Sequence, residues 1–441
     1  MTERGSRNAT PIERLVRPFQ DFAQIEASSG FLLIGCTVAA LLWANSALGA
    51  SYSHFWHTKL TVGFGGARLS ESLHFWINDG LMALFFFLVG LEIKREILVG
   101  ELASFQRAAL PIAAAIGGML VPAALYSLFN HNRPGAAGWG IPMATDIAFA
   151  LGVLALLGDR APVTLKIFLA ALAIADDIGA VLVIAFFYTA TISWGSLLVA
   201  GLILLTLFVL NWTGARHPLV YIFLGIALWI AILNSGIHAT VAGVLLAMTI
   251  PARQRLSTPE LISRAGDLLD QFRSAESERD PSEAGSTRSA VLHQLRDVAE
   301  NAEPVMVRFE HALTPWIKNL VMPVFALANA GVILGRDAVH ALSDPVSLGI
   351  IGGLVLGKPI GIVGFSWLTT RLGISTLPNN VSWRQVIGIS FLGGIGFTMS
   401  LFIADLAFAA MPVLETAKVG ILVASVVAGL AGVVLLLKRN R

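Results

Sequence analysis

Long apolar stretches separated by short polar ones dominate the chain. No Asp, Glu, Lys or Arg falls between Arg107 and Arg133, between Asp177 and Arg216, or between Arg216 and Arg253. A helix that crosses hydrocarbon needs about 20 mainly apolar residues, because lipid offers backbone amides no partner. Twelve stretches fit such spans: 31–48, 73–91, 107–129, 138–157, 164–188, 195–212, 219–234, 237–251, 316–334, 346–369, 386–404 and 415–437. The pattern predicts an all-α polytopic membrane protein of twelve transmembrane helices.

The polar stretches orient it. With an even number of spans both termini lie on one side, and that side with its loops holds 24 of the 30 Lys and Arg. The positive-inside bias makes both termini of this multi-pass protein cytoplasmic. The expected organisation is a cytoplasmic segment over 1–30, spans 1–8 over 31–251, a charged cytoplasmic loop over 252–315, spans 9–12 over 316–437, and a tail over 438–441. Phe31 to Trp43, followed by Ala44-Asn45-Ser46-Ala47, has some features of a cleavable signal. The long polar stretch before it favours a retained first helix.

The loop is the second departure from monotony. Residues 252–318 carry 20 of the 58 charged residues. Ser274–Arg288, rich in Ser, Glu, Asp and Arg, reads as linker or disorder. Its flanks look amphipathic, with Leu261, Leu268, Leu269 and Phe272 before it and Val291, Leu292, Leu295 and Val298 after it. A solvated insertion is the plain reading, and a regulatory module the alternative.

Composition narrows the classes. Charged residues make up 13% of the 441 and hydrophobic ones 56%, where a soluble domain carries about 25% charged. Mean hydropathy is +0.74. The single Cys36 excludes a disulfide framework or a multi-cysteine metal site. A net charge of +2 without a basic tract gives no reason to invoke nucleic acid. The signatures of zinc proteases, P-loop ATPases and serine nucleophile elbows are missing from the sequence.

Against this background the charges inside spans stand out. An ionisable group at mid-membrane costs about 2.5–3.5 kcal/mol on insertion scales, so it needs a partner, a water path or a task. Asp79, Glu92, Asp146, Asp176, Asp177, Lys358 and Asp405 are in this position, with the titratable His238. Glu92 and Asp405 lie near span ends, where a side chain can snorkel. Asp176 and Asp177 are too deep for that. Adjacent residues point about 100° apart on a helix, so the two acids suit separate tasks rather than one shared proton. One can hold a hard cation through oxygen. The other can pair with Lys358, the only lysine inside a span. Acids whose protonation is balanced by burial and a nearby ammonium can choose between a proton and Na+.

Two spans look interrupted. Residues 138–157 contain Gly138, Gly140 and Pro142 before Thr145-Asp146, and residues 386–404 contain Gly388, Gly393, Gly394 and Gly396 before Phe397-Thr398. Each is the middle of a triplet, spans 3–5 and spans 10–12, and the triplets start on opposite faces. Broken, crossing helices in inverted repeats point to a midplane ion site. Each half-helix end carries about half a charge of dipole, which Asp146 at positive ends and Lys358 at negative ends would neutralise.

Seven stretches in order now resemble the NhaA family of bacterial Na+/H+ antiporters. They are Ile77–Met82, Val89–Glu96, Ala144–Gly152, Leu172–Asp177, Ser235–Thr240, Gly357-Lys358-Pro359 and Gly394–Ser400, in a resemblance running from about Ser29 to Leu437. This family is itself a type case of the inverted-repeat architecture, so symmetry and resemblance are one line of reasoning. The resemblance implies that Asp177 is the principal carrier of Na+, Li+ and protons. Asp176 assists it, and Lys358 is its salt-bridge partner. Thr145, Asp146, Gly394 and Gly396 lie where the broken helices cross. It implies electrogenic exchange across a bacterial inner membrane, two protons inward per sodium outward, driven by the proton-motive force and needing no cofactor. It also implies activation at alkaline pH through Glu92, Arg95, Glu96, Glu310 and His311, with Asp79 in the funnel and His238 affecting the response. Thr314 stands where the family often has a second histidine. Homodimers are usual in the family, and residues 49–72 are long enough for an interfacial hairpin. The rival readings are a cation–solute symporter, which would need a further polar pocket, and an intramembrane protease, which adjacent acids do not suit.

Overall fold

In the computed structural model the described residues are 30–64, 67–189, 192–252, 258–274, 281–333, 335, 337–409 and 411–438. The expected N-terminal segment and the end of the tail therefore lie outside the described residues. Most of the chain is helical, and helices occupy all twelve apolar stretches. Among the described residues five helices are long and apolar enough to cross a membrane, or up to eight if each sharply bent pair is one span. Several of the rest are short. Val241–Thr249 has only nine residues, about 13 Å of helix, where a full span over 237–251 was expected. Trp194–Trp212 exposes apolar side chains around nearly its whole surface, Trp212 at 89% and Leu198 at 66%. A helix apolar all round and yet unburied by protein is built for lipid.

Three helices contain π-helical turns: Trp76–Leu81, Ile317–Val321 and Gly352–Gly357. Such turns are rare, recur at functional sites, and shift the angular register of everything beyond them. The first carries Asn78 and Asp79; the third ends at Lys358. Residues 105–130 and 345–371 cross backbone against backbone at Gly117 and Gly361. A Cβ on Gly117 would sit 2.2 Å from the Gly361 carbonyl oxygen, and one on Gly361 2.0 Å from that of Gly117. Both positions need glycine for this approach.

A hairpin forms within residues 49–72 of this mostly helical chain: Lys59–Phe64 and Ala67–Ser72 pair antiparallel, from Lys59 opposite Ser72 to Phe64 opposite Ala67. Helix 30–44 turns through 113° into Gly49–His57, which leads to this hairpin. One expectation needs correction, because the segment Ser274–Arg288 is not all linker. Helices span Thr258–Ser274 and Pro281–Ala302, with Leu268 and Val291 buried. Pro281 opens the second helix, where a missing N–H costs nothing, and the amphipathic flanks cover each other. Both helices hang from one point, because Met306 N donates to Pro251 O at 3.2 Å.

Candidate functional site

The two interrupted spans bend where glycine and proline predict. Pro134–Met143 and Ile147–Leu156 meet at 43°, with extended backbone at Ala144 and Asp146; Trp383–Leu392 and Phe397–Phe408 meet at 47°. The breaks touch. Asp146 N donates to Ile395 O at 2.7 Å, and Thr145 Oγ1 donates to Gly393 O at 2.8 Å. Gly394 and Gly396 permit the approach: a Cβ on the former would lie 2.3 Å from Leu354 O, and one on the latter 3.1 Å from Ala144 O.

Four half-helix ends converge, each leaving unpaired backbone groups. Asp146 serves both N-termini. Its Oδ1 accepts from Phe149 N at 3.0 Å, and its Oδ2 from Thr398 N at 3.0 Å and from the Thr398 hydroxyl. A carboxylate at two positive dipole ends is favourable twice over. Each negative end has a donor. Lys358 Nζ donates to Met143 O at the end of the first half-helix. The end of Trp383–Leu392 receives the Thr145 hydroxyl at Gly393 O.

Asp176 and Asp177 lie mid-way along Val163–Phe187, exposed by 1% and 3%. Asp176 Oδ2 is 2.7 Å from Lys358 Nζ, in an ion pair with both side chains buried. The Oδ1 atoms of Asp176 and Asp177 have no hydrogen-bond partner among the described residues. Asp176, Asp146, Glu92 and Lys358 all lie within electrostatic reach of Asp177. Buried polar groups are nearly always satisfied, and one that is not calls for an ion, a water or a role in the chemistry.

The family profile described as Na+/H+ antiporter 1 matches residues 20–436. The chain belongs to this family. The Na(+)/H(+) antiporter NhaA of Oleidesulfovibrio alaskensis is 53% identical over 426 residues, covering 97% of this chain and 95% of the relative. Na(+)/H(+) antiporter NhaA 2 of Syntrophotalea carbinolica is 51% identical and covers 95% of each. The NhaA protein of Koribacter versatilis is 50% identical, covering 98% and 94%. These relatives are named as transporters, not enzymes.

In this NhaA-family chain most of the remaining predicted residues fall into two groups. Glu310 is buried and pairs with Arg95, which also lies 3.8 Å from Glu96. His311 Nδ1 is 3.4 Å from Glu303 Oε1. Asp79 is toward the other end of the helix that runs from Leu73 to Val99 and carries Arg95, and His238 Nδ1 is 3.7 Å from Asp79 Oδ1. From Asp79 to Arg95 is about 24 Å of helix, so no single cluster can hold both sets. The sequence reading missed Thr398, whose hydroxyl and N–H both bind Asp146. A threonine in the first turn of a half-helix was the available signal. It also missed Lys94, whose ammonium caps the end of Val241–Thr249 through Met248 O at 2.7 Å.

Proposed function

We propose that this chain is a secondary active Na+/H+ antiporter that exports Na+, and Li+, in exchange for protons by alternating access at Asp177. The observation that carries the reading is the unequal treatment of two adjacent buried acids. Asp176 is committed to Lys358. Asp177 has no ion pair among the described residues, and like Asp176 it keeps an oxygen unpartnered near the crossing of two broken helices. A hard cation prefers oxygen ligands, and a carboxylate that gives up Na+ can take a proton in its place. The cargo ion would complete its shell from Asp176, nearby hydroxyl or carbonyl oxygens and water. Asp146 and Thr145 hold the crossing, and Lys358 balances Asp176.

The finer reading is electrogenic exchange, two protons inward per sodium, activated by alkaline pH through the Arg95–Glu310 end. It takes place in a bacterial inner membrane, in twelve spans containing two inverted repeats, with both termini and the 252–315 insertion cytoplasmic. The Lys and Arg distribution supports that orientation. The hairpin at 59–72 is the proposed contact of a homodimer.

Everted membrane vesicles test the core of this. Added Na+ or Li+ should collapse a respiration-generated pH gradient with no organic solute present, and Asp177→Asn should abolish the response while the protein still reaches the membrane. A wild-type chain that answers to neither ion from neutral to alkaline pH, or an Asp177→Asn variant that keeps exchange, refutes the reading.

A further inference from the structure

A second buried polar cluster lies at the hairpin end, away from the broken-helix crossing, and its hydrogen bonds fix its chemistry. Asn329 Nδ2 donates to Asn78 Oδ1 at 2.9 Å and to Phe325 O at 3.0 Å. Both its N–H groups are used, so its Oδ1 is the atom facing His74 Nε2 at 3.1 Å. Asn78 Nδ2 donates to Asp405 Oδ2 at 2.7 Å and to Asn329 Oδ1 at 3.3 Å. It has no third proton to give the imidazole, 3.4 Å away. An acceptor therefore faces Nε2, which must carry hydrogen in either protonation state, and Nδ1 is the atom that gains or loses the exchangeable proton. Asp405 Oδ1 is 3.9 Å from Nε2. Both side chains are partly open, His74 at 28% and Asp405 at 19%, so protons from one side of the molecule can reach them.

Asp405 sits on Phe397–Phe408, the half-helix that starts at the crossing, about 10 Å along from Thr398. His74 begins the helix that continues through Asp79 to Arg95. We propose that His74 and Asp405 form a proton-operated latch. Proton uptake at His74 Nδ1 turns a neutral ring beside a carboxylate into an ion pair, and this holds the half-helix that presents Thr398 to Asp146 against the helix that carries Asp79. The latch rests on the antiport reading for its purpose, and it makes exchange respond to pH at the hairpin side separately from the Arg95–Glu310 end.

Other charges face the pair from every packed element. His57 on Gly49–His57 and Lys418 on Val413–Leu437 lie within electrostatic reach of His74. Lys418 is itself held by Glu415 at 3.4 Å. Asp405 also lies within reach of Asp79 and His238, and Glu71 on the second strand within reach of Asp79. The asparagine clasp adds no charge but fixes the distance, so the state of the latch depends on the proton.

The full chain labelled at histidine carbon and followed by NMR tests the pair directly. The resonance lost in His74→Gln should titrate in the wild type. In Asp405→Asn its proton affinity should fall by roughly threefold or more, because the stabilising anion is gone. Asp405→Glu should restore most of it. A resonance that does not titrate, or that titrates identically in Asp405→Asn, overturns the latch. Proteoliposomes with pH set independently on each side test its purpose. His74→Gln, which keeps a donor to Asn329, should lose the response to hairpin-side pH and retain the other. Unchanged responses on both sides, or equal loss on both, overturn the coupling. If the wild type exchanges no Na+ for protons, the antiport reading fails, and the titration still decides the ion pair.

Discussion

Removing the Lys358 ammonium should destabilise the molecule through the partner it leaves behind. Lys358 is fully buried and Asp176 nearly so, with 2.7 Å between the charged atoms. Lys358→Ala strands that carboxylate and leaves the Met143 carbonyl without its donor. Removing one partner of a buried ion pair costs about 3–5 kcal/mol, and the stranded carbonyl adds about 1 kcal/mol. At the usual unfolding entropy per residue this lowers the melting temperature by on the order of 5 °C. The decisive comparison is Lys358→Ala with Asp176→Asn in one chain. With no charge left to strand, the double variant should recover about half the loss, roughly 2–3 kcal/mol, and the coupling is this recovery plus the cost of Asp176→Asn alone. Tryptophan fluorescence during heating, in one detergent at one pH, reads all four proteins. Wild-type melting in Lys358→Ala, or a double variant that melts no higher than that single one, would refute the reasoning.

Three further outcomes follow from the crossing, the insertion and the Arg95 end. Asp146→Ala removes three accepted bonds from two half-helix ends and should cost about 2–4 kcal/mol, with Asp146→Asn milder in both stability and exchange; thermal melting beside vesicle exchange checks the order. Because Pro251 and Met306 are hydrogen-bonded, replacing residues 254–302 by a short glycine–serine linker should leave peak exchange near normal, and an inactive variant that still reaches the membrane contradicts this. Glu310→Gln breaks the pair with Arg95 and should shift the pH of half-maximal exchange with the maximum rate largely kept; a rate–pH profile that superimposes on the wild type counts against any regulatory role.

The parts legible in the sequence were those where a residue type contradicts its surroundings. Acids and one lysine in apolar stretches, and glycine and proline where helices should continue, marked Asp146, Asp176, Asp177, Lys358 and both breaks. The structure brings those residues together. Thr398 escaped because a threonine is tolerated in an apolar helix and shows no conflict until Asp146 is placed beside it. The hairpin at 59–72 was legible only from the length of 49–72, because its alternation, Thr61 and Val62 opposite Leu69 and Ser70, is short and flanked by helices. Pro281 to Arg288 misled for the opposite reason: its polar composition suits a linker, but its helix needs only the apolar residues further along. The separation of Asp79 from Arg95 was available from helical rise alone. The π turns leave no compositional trace.

The contact between Gly117 and Gly361 has a mechanical consequence. Where helices meet through side chains, rotamers can yield and the pair can slide; where backbone lies on backbone, nothing is left to comply. Residues 105–130 and 345–371 therefore act as one beam. Lys358 leaves it within one turn of Gly361, its stem 3.7 Å from the Cβ position of Gly118. The ammonium is thus carried by this closely packed pair, while Met143 and Asp176, its two partners, stand on other elements. When the proposed ion site turns from one side of the membrane to the other, this fixed positive charge is the reference against which the acids move.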